Sequence, residues 1–107
     1  MLAIAMPAAA GLATEFKSPA DALQQGLSAY RGGYYEMAIP ALERAVESKL
    51  FMAQYTLARI YADNRTPFTD HAKAYVLFQR LADEHADVDP EDDQRAPFVA
   101  KSLVALA

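Results

Sequence analysis

The chain of 107 residues has no cysteine, which excludes a disulfide framework and a thiolate metal site and leaves its redox compartment open. Basic residues are in deficit: 10 Lys and Arg stand against 14 Asp and Glu, for a formal net charge of -4. Nucleic-acid binding calls for a basic stripe that neutralises phosphates, so nucleic acid is not an expected partner. No apolar run reaches the roughly 20 residues that a membrane-spanning helix needs, and no stable membrane anchor is expected. Motifs of chemistry are missing as well. There is no HExxH, no GxSxG, and no lysine followed by serine or threonine after Gly32-Gly33 to make a phosphate loop. The chain is therefore not read as an enzyme, and no catalytic residue, cofactor or metal ligand is assigned.

What is present fits one soluble domain, with 53% hydrophobic and 22% charged residues. The first thirteen residues, MLAIAMPAAAGLA, carry no charge and resemble the apolar core and small-residue cleavage region of a secretory signal peptide. The basic head of such a signal is absent, so the segment is either a signal whose start lies further upstream or a plain apolar N-terminus. The first reading places the protein in the periplasm and the second in the cytoplasm. The expected organisation is a leader over 1–13, a linker over 14–19 and a helical domain over 20–107.

Helical periodicity begins at Ser18. Ser18 is placed to cap a helix from Pro19 to Arg31, with Pro19 in the first turn and Asp21 reaching back. Gly32-Gly33 then ends it. Tyr35, Ala38, Ile39, Leu42, Ala45 and Val46 recur at spacings of three and four and define one face of a second helix. Pro40 removes a backbone donor there, which predicts a kink or a late start. A second hairpin follows: AQYTLARIYADN is its first helix, residues 64–69 its turn with Thr69 as the cap, and 70–85 its partner, with Ala74, Leu77, Phe78, Leu81 and Ala82 inward.

Overlaying the hairpins aligns Gly26 with Ala58 at a period of 32 residues and Ala38 with Ala74 at 36, so the second turn is about four residues longer. Such periods mean stacked helical hairpins, in which small residues mark the close crossings. Ala53, Ala58 and Ala62 are expected to stay small for that reason. The fold class is therefore all-α: stacked antiparallel helical hairpins, two repeats and the start of a third. That third begins in APFVAKSLVALA, residues 96–107, and stops where the next small residue would sit, so the chain reads as truncated.

These residues resemble the tetratricopeptide family and, within it, the Sel1-like repeats. The first hairpin shows the pattern in Ala22, Gly26, Gly33, Tyr35, Ala38, Leu42 and Ala45. The second shows it in Ala53-Gln54, Leu57-Ala58, Tyr61, Asp70, Lys73-Ala74, Phe78 and Leu81-Ala82. The turn DNRTPFTD, residues 63–70, departs from the pattern by lacking glycine. The succession of an export-like leader, a helix opening in SPADAL, two hairpins, an acidic linker and APFVAKSLVALA is similar to the ExoR family of alphaproteobacterial periplasmic regulators. That resemblance implies a negative regulator of exopolysaccharide production that binds the periplasmic domain of a membrane sensor histidine kinase of the ExoS/ChvG type. It implies no contact residues, because the matched positions are structural. A cytoplasmic tetratricopeptide-like adaptor is the alternative, and an envelope-enzyme subunit a further one that would need catalytic residues beyond Ala107.

The acidic run DEHADVDPEDD, residues 83–93, lacks the central glycine and register of an EF-hand loop and reads as a solvated linker. His85 within it is either an exposed histidine beside carboxylates or an acid sensor. His71 beside Asp70 has no second histidine at ligand spacing, and metal binding is not expected there. Surfaces remain. The outward positions of the first helices, Leu23, Leu27, Tyr30, Arg31, Met52, Tyr55, Arg59 and Asp63, would line a concave face suited to a protein partner. Several of them could instead pack onto a neighbouring repeat.

Overall fold

A computed structural model describes residues 16–87 and 94–106, which form five helices and no strand: α1 (Pro19–Arg31), α2 (Tyr35–Val46), α3 (Phe51–Ala62), α4 (His71–Glu84) and α5 (Ala96–Leu106). The leader 1–13 and residues 88–93 of the acidic run lie outside the described residues. Each helix packs on the next in sequence, and α1 and α5 also touch α3. The fold is the expected stack of antiparallel hairpins, with α1–α2 and α3–α4 complete and α5 laid against the second.

The start of α1 follows its sequence. The Ser18 hydroxyl accepts from the Asp21 backbone N–H at 3.0 Å, and the Asp21 carboxylate accepts from the Lys17 N–H at 3.0 Å. That backbone contact and then the Gln25 amide hold the Asp21 carboxyl below its usual range. At the other end Gly33, at φ +82°, takes the left-handed conformation that a chain reversal requires. The Tyr34 N–H then reaches Ala29 O at 2.9 Å and the Gly33 N–H reaches Tyr30 O at 3.0 Å, the double bond of a Schellman end. The late start of α2 does not occur: the helix begins at Tyr35 and runs through Pro40. Pro40 lacks the N–H that would have bonded the Glu36 carbonyl, so the helix forgoes that one bond.

Gly26 marks a close crossing. A Cβ there would lie 2.7–2.8 Å from the Leu42 side chain, so the contact is between α1 and its own partner α2. Ala53 and Ala58 are fully buried, whereas Ala62 is only half-buried. α3 is enclosed nearly all round, burying Ala53, Gln54, Thr56, Leu57, Ala58, Ile60 and Tyr61, because it sits between α2, α4, α1 and α5. By contrast α1 buries only Ala22 and Gly26.

Two local expectations need correction. Asp70, not Thr69, caps α4: its carboxylate accepts from the Lys73 N–H at 3.1 Å. The Thr69 hydroxyl is directed into the turn, toward the carbonyls of Asp63 at 2.5 Å and Thr66 at 2.9 Å. The acidic run is also not a linker from its first residue, since Asp83 and Glu84 complete α4.

Candidate functional site

Of the first helices, α3 adjoins both α1 and α5. Six of the eight sequence-selected residues there, Leu23, Leu27, Tyr30, Met52, Tyr55 and Asp63, are half-buried, while Arg31 and Arg59 are exposed. The structure gathers Tyr30, Arg59 and Asp63 into one hollow of about 440 Å³ at the mouth of the hairpins, joined by Tyr35, Asn64 and Arg65. Tyr30 and Tyr35 stack with centroids 5.8 Å apart. Leu23, Leu27, Arg31, Met52 and Tyr55 do not line that hollow.

Charge in the hollow is fixed locally. The Arg65 guanidinium donates to both carboxylate oxygens of Asp63, at 3.0 and 3.2 Å, and its backbone N–H adds a third bond at 2.9 Å. These bonds hold the Asp63 carboxyl below its ordinary range. The Arg59 guanidinium donates to the Tyr55 hydroxyl at 3.1 Å and lies 5.8 Å from that ring's centroid. That bond raises its pKa, and Arg59 remains a cation at every physiological pH. The arrangement offers aromatic faces, one Asp-paired arginine and one arginine resting on a tyrosine, which are the residue types that anchor protein interfaces.

Tyr55 belongs partly to the stack itself. Its ring meets Phe78 of α4 at 6.0 Å and Phe98 of α5 at 5.1 Å, and Lys101 of α5 lies 5.9 Å from its centroid. Packing onto the neighbouring repeat therefore claims this residue. Arg65 and Asn64 escaped the sequence reading because the repeat pattern gives no conformation for a turn without glycine, whereas Tyr35 was read only as a packing position of the second helix.

The largest departure is His85. It is buried, not exposed, and joins three elements in a polar chain. Arginine can only donate, so the Arg95 guanidinium at 3.3 Å makes Nδ1 the acceptor. Nε2–H then donates to Gln54 Oε1 at 3.0 Å. The Gln54 amide in turn donates to Glu84, whose other oxygen meets Arg80 at 3.4 Å. The ring edge rests on Phe51 at 6.1 Å. Gln54 is fully buried, and no buried side-chain polar atom among the described residues lacks a partner.

Elsewhere, His71 Nε2 meets Asn64 Oδ1 at 2.8 Å, and Asp70 is engaged as the cap of α4. Among the described residues, no three His, Asp or Glu side chains come together as a metal-holding group, and no helix is long and apolar enough to cross a membrane.

Comparison with known proteins adds one relative. The chain is 28% identical over 89 residues, 83% of its length, to a protein of Rhizobium leguminosarum bv. viciae named as an exopolysaccharide production negative regulator. The match covers 32% of that relative, so the chain spans about a third of its length. The relative is named as a regulator, not as an enzyme. No family model matches the sequence, and no solved structure matches it.

Proposed function

We propose that this chain is a protein-binding repeat scaffold of a periplasmic negative regulator of exopolysaccharide production, and that it holds the periplasmic domain of a membrane sensor histidine kinase. The observation that carries the regulatory part is the similarity to the Rhizobium leguminosarum relative along 83% of the chain. Stacked helical hairpins present extended surfaces suited to holding another protein, which supports the scaffold reading. The hollow at Tyr30, Arg59 and Asp63 supplies aromatic and arginine groups of the kind that concentrate binding energy. The export-like leader in 1–13 and the resemblance to the ExoR family support the periplasmic partner.

Crosslinking in intact cells tests the reading. The tagged protein is expected to capture a sensor kinase from the membrane fraction at near-neutral pH. Replacing both Tyr30 and Arg59 with alanine should reduce that capture about tenfold or more, the loss of a single hot spot. Capture of cytoplasmic proteins only, with the leader uncleaved, would overturn the export and kinase parts together.

A further inference from the structure

The side of the stack that carries the second helices has a groove of its own. There α2 and α4 do not form a packed pair, and the central helix α3 lies beneath and between them. The result is an open trough of about 630 Å³. Leu57 and Tyr61 of α3 form its floor, with Val46 of α2 and Val76 and Leu77 of α4 along its walls. Val76 is 52% exposed, a branched apolar side chain left to water on an otherwise well-formed helix. The rims differ in sign. Glu43 and Glu47, one turn apart, stand on the α2 side, while Lys73 and Arg80, about two turns apart, stand on the α4 side. One end is drawn together where the Tyr61 hydroxyl donates to Glu43 at 3.1 Å and Lys73 lies 5.3 Å from the Tyr61 ring centroid.

We propose that this trough receives one amphipathic α-helix of a partner protein. Its apolar residues at i, i+3, i+4 and i+7 would lie against the exposed Val76 and over the edges of Val46, Tyr61 and Leu77. Its basic flank would face Glu43 and Glu47, and its acidic flank Lys73 and Arg80. A helix fits because it arrives with its backbone bonds already made. An extended segment would lay N–H and C=O groups against apolar walls, and the described residues offer no strand edge to pair them. A helix with one sign of charge on both flanks would meet one attracting rim and one repelling rim. The inference does not rest on the regulatory reading or on the hollow at Tyr30.

The test uses the whole chain and a fluorescein-labelled helical peptide of about five turns. The peptide carries a leucine and alanine stripe, lysines along one flank and glutamates along the other. Saturable anisotropy is expected, weakened about tenfold or more by Val76→Glu and several-fold by Lys73→Glu. Both sites are exposed, so circular dichroism should show the fold intact. Leu103→Glu places the same charge on an exposed apolar residue of α5 and should leave binding unchanged. Peptides with lysine on both flanks, or glutamate on both, should bind several-fold more weakly. No saturable binding, equal binding of the three peptides, or a loss with Leu103→Glu as large as with Val76→Glu would overturn the proposal.

Discussion

Between α1 and α2 the chain reverses through Gly32, Gly33 and Tyr34, held by backbone hydrogen bonds alone. Between α3 and α4 it uses residues 63–70, held largely by side chains: Asp63 with Arg65, Thr69 with two carbonyls, and Asp70 as the cap. The two hairpins also close differently along their lengths. The first brings Gly26 against Leu42, an approach that works by leaving out a side chain. The second ties Gln54 of α3 to Glu84 and His85 at the end of α4, and through His85 to Arg95 ahead of α5. One architecture is thus stabilised by two means, steric in the first hairpin and polar in the second. The polar device has a further consequence, because the same bonds that close the second hairpin also fix where α5 begins.

Removing the centre of that polar chain should produce the largest effect. Gln54→Leu keeps the approximate volume but leaves the His85 Nε2–H and a Glu84 oxygen without the bonds they make in the native protein. Stranding the buried His85 group costs about 1–3 kcal/mol and the half-buried Glu84 oxygen less, so the variant should lose about 2–3 kcal/mol in urea unfolding. A loss below about 0.5 kcal/mol would mean that apolar packing alone closes both hairpins, and the comparison would collapse.

The steric device should show a smaller effect. Gly26→Ala would gain up to about 1 kcal/mol of helix propensity. Its new methyl, however, would lie 2.8 Å from Leu42 Cγ, a branch point that cannot swing away without moving the side chain. Overpacking of this kind costs about 1–3 kcal/mol, so a net loss of about 1–2 kcal/mol is expected. The double variant with Leu42→Ala tests the assignment, because removing the obstructing atoms should leave Gly26→Ala neutral or stabilising in that background. If the two substitutions instead add, the close approach lies somewhere other than between Gly26 and Leu42.

These differences explain how far the sequence could be read. Spacing and small residues encode the helices and the steric device: the span 19–31, the inward face of α4, and the burial of Ala38, Leu42, Ala58 and Ala74 all follow from position in the repeat. The polar device is encoded by pairs about thirty residues apart, Gln54 with Glu84 and His85, for which a single sequence gives no pairing rule. His85 lies in a run of acids, and its neighbours in sequence suggest solvent, yet its neighbours in space are Gln54, Arg95 and Phe51. Thr69 and Asp70 are both competent caps, and the choice between them turns on which side chain the loop carbonyls claim. Arg65 of the hollow was invisible for a related reason, since its place depends on the conformation of that same loop. The trough was legible only in part: its apolar residues fall at core positions, whereas the splay of α2 from α4 that exposes Val76 is a property of the stack.

Tyr61 provides the finest test, because it carries a polar bond between the two hairpins while its ring remains in the apolar floor. Burial, followed by the neighbouring Glu43 carboxylate that its hydroxyl bonds, pushes its pKa up to about 12 from an ordinary value of 10.0. The folded protein therefore keeps this proton at a pH where the unfolded chain has lost it. Stability from this group is complete below about pH 10, falls as pH rises, and is gone above about 12, a loss of about 1–2 kcal/mol across that window. Tyr61→Phe should remove this alkaline slope and, at neutral pH, cost about 1 kcal/mol for the lost bond to Glu43. Glu43→Gln should keep much of the neutral stability while moving the slope toward lower pH, since it removes the charge but leaves an acceptor. If Tyr61→Phe leaves the slope in place, another group titrates there, and the two hairpins are joined by apolar contact alone.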